Sequence, residues 1–152
     1  MTTTQPRTQI PEGTVQWPDV EKAMVTLLSD MAADLTPPGY ACVTLPANFT
    51  ERIDNGQTVL QVQRAGGFAD RIQDHARITL RVHSNDRSVS WNVLGWLRPQ
   101  LHQYKGVIHN GDGTTAIVQD IQDTQGPQRT PADMQTSATV QAALTVTTRI
   151  DR

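Results

Sequence analysis

The segment VQRAGGFADRIQDHARITLRV, from Val62 to Val82, holds the residues with the greatest potential for chemistry. It begins as a strand, is interrupted at Gly66-Gly67 and ends as an alternating strand. A glycine pair after a strand binds phosphate when a helix follows directly and aims its free amides at the anion. Here a strand follows instead, and the loop carries Asp70 and Asp74, which would repel phosphate. The pattern argues against a phosphate site.

The histidines do not show the spacing of a metal site. No pair stands at i, i+4 and none has a cysteine partner, among His75, His83, His102 and His109. Asn110-Gly111-Asp112-Gly113 resembles the start of a calcium loop, but the further acidic ligands are missing, and the pattern predicts a turn. His75 and His83 are expected in solvent on the polar face of their strand.

Nucleophilic catalysis has no signature in this chain. There is no Gly-x-Ser-x-Gly elbow, and Cys42 lies in the apolar run ACV, which predicts a small buried residue. A single cysteine excludes an internal disulfide and suits a reducing cytosol. An active site assembled from distant residues stays open from one sequence. We therefore expect a protein that is not an enzyme and has no cofactor.

A contact surface is the remaining interpretation of this loop. Phe68 follows two glycines and is flanked by charges, as an anchor that buries in a partner would be. Arg64, Asp70, Arg71 and Asp74 could pair across the contact, which gives register and specificity. The alternative is an ordinary hairpin loop with Phe68 folded onto its own domain, and the sequence leaves both open.

Length and charge set the frame for these residues. A chain of 152 residues suits one domain and buries roughly 68–70% of its unfolded surface. We expect residues 1–15 to be a flexible arm and residues 16–152 to be the domain. The formal charge of -2 gives little support to tight nucleic-acid binding. The polar start lacks the apolar stretch of a signal peptide, and no segment approaches a membrane span.

Two helices are predicted from apolar spacing. The first starts at Pro18, and its stripe is Val20, Ala23, Met24, Leu27, Leu28, Met31 and Leu35. The second follows the caps offered by Ser84-Asn85-Asp86, and Pro99 is expected to kink or end it. Its apolar side is predicted to be Val89, Val93, Trp96, Leu97 and Leu101.

Strands account for most of the rest. Ala76, Ile78, Leu80 and Val82 alternate with polar residues, so one face is buried. The other predicted strands are 40–45, 58–64 after the turn at 54–56, 115–122 after the Asn110–Gly113 hairpin, and 138–150. Residues 124–133 are predicted to be an irregular loop. The order predicts an α+β fold, a two-layer sandwich of a mostly antiparallel sheet with two helices packed on one face. The polar opposite face must meet water or another chain.

The run QVQRAGGFADRIQDHARITLRVHSNDRSVSWNVLGWLRPQL resembles the tail terminator proteins of long-tailed, siphovirus-type bacteriophages, especially those that infect actinobacteria. The shared pattern is a strand ending in Arg and paired glycines, an acidic loop, and an alternating strand that passes into a helix. The later GPQRTPAD looks like the family's Gly-Pro loop before a closing strand. The resemblance covers roughly Trp17 to Arg149 as a distributed pattern.

The resemblance implies a virion protein of the tail neck, assembled in the host cytoplasm. It would form a homohexameric ring that caps the tail-tube protein, stops polymerisation and docks to the head-tail connector, with DNA passing through the lumen. As a hypothesis, the subunit or tube interface comprises Arg64, Gly66, Gly67, Phe68, Asp70, Arg71, Asp74, Arg77, Arg81, Gln128 and Arg129.

Two kinds of alternative remain. Another neck component, such as a head-closure or adaptor protein, or a tail-tube subunit would share most of these features, but a tube subunit would stack indefinitely. A small ligand-binding or enzymatic domain would instead show a deep apolar pocket with a perturbed acid.

Overall fold

The computed structural model describes residues 7–12, 15–129 and 138–150. These residues form three helices and six strands, in the order α1 (Val20–Ala32), β1 (Tyr40–Cys42), α2 (Phe49–Asp54), β2 (Val59–Ala69), β3 (Gln73–Ser84), α3 (Arg87–Gln103), β4 (Gly106–His109), β5 (Thr115–Arg129) and β6 (Ala138–Arg149). The predicted α+β class is confirmed.

One mixed sheet holds all six strands, in the order β1-β2-β3-β6-β5-β4. The pair β1·β2 is parallel, and the other four pairs are antiparallel, as predicted for most of the sheet. The strands β3 and β6 lie in the centre, and their alternation puts Ile78 opposite Leu144 and Leu80 opposite Ala142. All four side chains are buried, which confirms the predicted inner face of β3.

The helices α1 and α3 share a single core with the inner face of the sheet. Asp19 caps α1 by accepting the Lys22 backbone N–H at 3.1 Å, and Asp86 caps α3 by accepting that of Ser88 at 2.8 Å. The fully buried Met24 and Leu28 of α1 lie in this core with Leu97 of α3. Burial of each such side chain is worth about 1.5–3 kcal/mol, so packing rather than helix propensity holds both helices in place.

The helix α2 was missed by the sequence prediction, and it changes the opposite face of the sheet. Its Ile53 forms a second buried cluster with Cys42 and Val59, against which Phe49 packs. This corner of the predicted polar face is therefore apolar and covered. Only the spacing of Asn48 and Glu51 signalled a helix start here.

The prediction for α3 was wrong in part. The helix does not end at Pro99 but continues to Gln103, and the alternative expectation, a kink at Pro99, stays a prediction. Pro99 removes only the bond to the Gly95 carbonyl, and Gly95 is exposed, so water can satisfy that carbonyl. Val89 and Trp96 are 38% and 37% exposed, because the buried face is rotated toward Ser90, Val93, Leu94, Leu97 and Leu101.

The strand β5 also continues further than predicted. Gly126 and Pro127 lie inside it, where an irregular loop was expected. Register shifts between Asp123 and Gln125 and between Gln125 and Gln128 absorb them. A strand tolerates proline on a side where no neighbouring strand needs its backbone N–H. Among the described strands, β5 has no neighbour on its outer side beyond Val118. Residues 130–133 of the predicted loop lie outside the described residues, as do residues 1–6, 13 and 14 of the predicted arm.

Within the described ranges, no helix is both long enough and apolar enough to cross a membrane.

Candidate interaction surface

The turn between β2 and β3 is closed by Asp70. Its Oδ1 accepts the backbone N–H of Ile72 at 2.8 Å and that of Gln73 at 2.7 Å, while its own N–H donates to the Gln73 carbonyl at 2.9 Å. The backbone donors of Gln73 and Ile72 hold the pKa of Asp70 below its usual value. The carboxylate is thus engaged in its own turn, which fixes the shape of the hairpin tip.

The two glycines form a bulge rather than the end of a strand. The register of β2 against β3 shifts between Arg64 and Gly67. Gly66 and Gly67 have φ of 109° and 119°, in the region that favours glycine. A Cβ on Gly67 would lie 2.1 Å from the carbonyl oxygen of His75. The bulge redirects the end of β2 and requires glycine.

A bidentate ion pair holds the hairpin together. Arg64 Nη1 and Nη2 donate to the two carboxylate oxygens of Asp74 at 2.7 and 2.8 Å. The hydrogen bond to Asp74 raises the pKa of the guanidinium. Arg64 Nε also donates to the Gly66 carbonyl at 3.1 Å, and its backbone N–H donates to Glu21 Oε2 at 2.8 Å. The predicted interface residues Arg64 and Asp74 therefore pair within one chain.

Two apolar side chains remain exposed on this braced hairpin. Phe68 is 68% exposed and Ile72 is 60% exposed. The Phe68 ring stacks on His75 with centroids 4.6 Å apart, and His75 Nδ1 lies 3.1 Å from Thr147 Oγ1. Phe68 is thus held in position without entering the core. The sequence did not single out Ile72, although an apolar residue in a charged turn was a signal.

The polar face of the sheet continues from the hairpin along β3. Arg81 donates to Gln63 Oε1 at 2.6 Å and to Gln141 Oε1 at 3.2 Å, which ties three strands together. Arg77 is exposed and has no ion pair or hydrogen bond to any residue that the structure describes. A shallow depression beside it is lined by Ala65, Arg77, Thr79, Thr124, Gln125 and Ala143.

A family model described as a phage tail termination protein matches residues 16–152. The chain belongs to that family. No curated protein matches it significantly.

Membership confirms the resemblance to tail terminators and gives this protein a structural role in phage tail assembly, as a virion tail component that interacts with other tail proteins. The long-tailed type of phage and its actinobacterial host stay predictions. The family is a structural one, and the matched range contains the hairpin, the polar face and both long helices.

One prediction on the polar face of this tail terminator was wrong. His83 is only 4% exposed, because α2 covers it. Its Nε2 lies 3.1 Å from Gln61 Oε1, its Nδ1 lies 2.9 Å from Thr139 Oγ1, and the Phe49 ring meets its edge at 5.1 Å. Burial, together with the nearby charge of Arg81, lowers the pKa of His83 to about 4.

The remaining candidates have structural roles or no contact with the hairpin. Cys42 is buried, as predicted, and burial raises the pKa of its thiol. The Asn110–Gly113 segment is the predicted hairpin turn, where Asp112 pairs with Lys22 of α1. Gln128 is exposed and accepts from Gln125 Nε2 at 3.2 Å. The backbone of Arg129 pairs with Val140, and its side chain lies outside the described residues.

Across the described ranges, no three His, Cys, Asp or Glu side chains converge as metal ligands.

Proposed function

We propose that this tail terminator forms a closed homohexameric ring on the last ring of tail-tube protein. The ring ends tube polymerisation and docks the tail to the head-tail connector or stopper protein at the neck of a siphovirus-type virion, after assembly in the host cytoplasm. The genomic DNA passes through its lumen. The observation that carries the proposal is the hairpin, because hydrogen bonds close its turn and two apolar side chains, Phe68 and Ile72, are exposed on it.

Rigidity matters because ordering a loop on binding costs free energy. The hairpin tip is already closed by Asp70 and braced by the Arg64–Asp74 pair. Phe68 and Ile72 are therefore presented in a fixed arrangement, and their burial against a partner is worth about 1.5–3 kcal/mol each. An aromatic anchor within a polar rim is the arrangement of a protein contact.

Charge supports passage of DNA without retention. Each phosphate that a protein neutralises adds affinity for the duplex. The chain carries a formal charge of -2, and the polar sheet face presents Arg77 and Arg81 among threonine and glutamine side chains. Arg81 is already bonded to Gln63 and Gln141. Such a face can border a water-filled passage or a neighbouring subunit without gripping DNA.

Termination follows from non-identical surfaces. A head-to-tail contact between copies closes into a ring when the rotation between them completes a circle. One face of that ring would match the growing tube end, and the other would not offer a site for the next tube ring. The hairpin residues Phe68, Asp70 and Arg71, with Gln128 and Arg129 of β5, are the proposed contacts to a neighbouring subunit or to the tube.

The test is tail length in particles that carry Phe68→Ser with Ile72→Ser. We expect unterminated or headless tails, seen by electron microscopy, while the purified variant keeps its circular-dichroism spectrum. The matched control is Val89→Ser on α3, which also removes an exposed apolar side chain. Tails of normal length on intact heads in the double variant would contradict the proposed role of the hairpin. Normal virions in the complete absence of the protein would contradict the proposed function itself.

A further inference from the structure

The start of the chain is an arm that lies outside the domain core. The family match begins at residue 16, and the buried core begins at Val20. The described residues 7–12 and 15–17, here called the arm segment, are exposed and belong to no helix or strand. Three of the eight exposed large apolar side chains among the described residues nevertheless lie in this segment, at Ile10, Val15 and Trp17. A solvated tail is poor in such side chains, so the arm segment has the composition of a contact.

The outer face of the sheet offers a surface that such a segment can occupy. Two shallow depressions, of about 400 and 280 Å³, share Arg77, and together they are here called the Arg77 trough. Small residues line it at Ala65, Gly67 and Ala143, and Phe68 stands at one end. Small side chains let another backbone come close to a sheet. An extended segment with apolar side chains can therefore lie in the trough against the Phe68 ring.

Charge favours the arm segment as the occupant. Arg77 is exposed and has no acid beside it among the described residues. Glu12 is the one acid among the first eighteen residues of the chain, and it also lacks an ion pair with any residue that the structure describes. Ile10 is only two residues from Glu12, so an apolar side chain and the anion would enter the trough together. One charge pair in an otherwise apolar contact gives it register and specificity.

The arm segment and the trough lie on opposite sides of one chain. Trp17 lines a cleft with Lys22 of α1 and Asp112 of the β4–β5 turn, on the side that carries the helices. Arg77 alternates with the buried residues of β3, so the trough is on the outer side. A head-to-tail contact sets two different sides of neighbouring copies against each other. The five residues from Trp17 to Glu12 span about 17 Å when extended, which lets the arm cross from one copy to the next.

We propose that the arm segment of one copy binds in the Arg77 trough of the next copy. Ile10 and Val15 would pack against Phe68 and the small residues of the trough, and Glu12 would pair with Arg77. The inference rests on the proposed ring and gives the arm the role of linking its subunits. Each copy gives one arm and receives one, as a head-to-tail ring requires. An Arg77 that is paired with a carboxylate is also withdrawn from DNA phosphates.

Cysteine pairs test the link in assembled tails. In a Cys42→Ala background, Gln9→Cys in the arm segment is combined in turn with Thr145→Cys and Thr79→Cys in the trough. A disulfide between copies gives a ladder of covalent multimers on a non-reducing gel, whereas a disulfide within one copy gives a monomer of altered mobility. The matched control is Gln9→Cys with Thr50→Cys, an exposed position on α2, which covers the far corner of the same sheet side. We expect a ladder from at least one trough pair and unaltered monomer from the control.

Charge reversal tests the pairing within the link. Glu12→Lys and Arg77→Glu should each lower the yield of multimers by about two- to five-fold, which is the effect of an exposed ion pair. The variant that carries both reversals should restore the yield, because the pair is re-formed with opposite signs. Ile10→Ser should lower the yield by about tenfold or more, since it removes the burial of an apolar side chain.

The outcomes that would overturn the link differ from those that would overturn the ring. A monomer of altered mobility would mean that the arm binds its own copy. Tails of normal length without a cross-link in either trough pair would overturn the link and leave the capping role intact. Failure of the double reversal to restore the ladder would overturn the pairing of Glu12 with Arg77. Absence of the protein from finished tails would instead contradict the proposed function.

Discussion

Replacement of Gly67 by alanine should destabilise this protein far more than the same change at Gly66. Both residues have positive φ, 119° and 109°, so each alanine pays about 1–2 kcal/mol for a left-handed backbone. Only at Gly67 does the new Cβ meet an atom, the His75 carbonyl oxygen at 2.1 Å. Overpacking of this kind costs typically 1–3 kcal/mol more. We expect a loss of about 1–2 kcal/mol for Gly66→Ala and about 2–5 kcal/mol for Gly67→Ala.

The measurement is the free energy of unfolding from urea denaturation of both variants and the parent. At this chain length, a difference of 1 kcal/mol corresponds to about 2–4 °C in Tm, so thermal melting gives a second readout. The Gly66→Ala variant is the internal control for backbone strain, since nothing lies within 4 Å of its added Cβ. Equal destabilisation of the two variants would refute the close approach of β2 to the His75 carbonyl, and with it the geometry of the bulge.

Three further predictions follow from buried or paired groups. Asp74→Asn should lower the free energy of unfolding by about 1–3 kcal/mol, between the values for exposed and buried ion pairs. The reason is that the Asp74 side chain is 5% exposed and that of Arg64 is 35% exposed. In the same denaturation assay, the same change at the exposed Asp34 should cost under about 0.5 kcal/mol. His83 has a pKa of about 4 in the folded protein, against 6.5 as its ordinary value. As the pH falls, the unfolded chain therefore binds the proton on His83 before the folded protein does. The free energy of unfolding should fall by about 3 kcal/mol between pH 6.5 and pH 4. His83→Gln should flatten that part of the pH profile, and an unchanged slope in the variant would assign the effect to other groups. Cys42 should react with a thiol reagent far more slowly than a free cysteine in the unfolded chain, because the thiol is buried with a raised pKa; fast labelling of the native protein would contradict the packing of Cys42 beneath α2.

The sequence predicted best those elements whose pattern is repeated and local. The strand β3 shows four buried residues at alternate positions, and α1 shows an apolar stripe, so both elements were found. The helix α1 is shorter than predicted, because it runs from Val20 to Ala32 rather than from Pro18 through Leu35. The hairpin at Asn110–Gly113 was also predicted, because Asn-Gly and Asp-Gly favour a tight turn through their own backbone conformations, without help from distant contacts. Periodicity predicted β3 and α1, and the local turn residues predicted the hairpin.

The errors have a common cause in tertiary context. The helix α2 is only six residues long and has one buried residue, Ile53, so it has no period to detect. Pro127 can stand in β5 because β5 has an open side there, which depends on the order of the strands. His83 was placed on the correct face of β3, but its burial depends on α2, which crosses that face.

The candidate surface was predicted in part. The sequence indicated the hairpin, Phe68 and the charges around it, and the structure shows that Phe68 is exposed. The sequence could not show that Arg64 pairs with Asp74, because each of these charges could equally pair within the chain or with a group on another protein. It also missed Glu21, which lies 43 residues from Arg64 in the sequence and reaches its backbone only through packing of α1 on the sheet.

The position of β6 has a consequence for how this chain folds. The last of the described strands, β6, occupies the middle of the sheet, between β3 and β5, and it pairs with β3 along twelve residues. During synthesis, neither neighbour can complete its ladder until residues 138–149 have left the ribosome. Contacts so distant in sequence close slowly. The nascent chain therefore keeps β3 and β5 each with one unpaired side until β6 has been synthesised, and during that interval it is most exposed to aggregation.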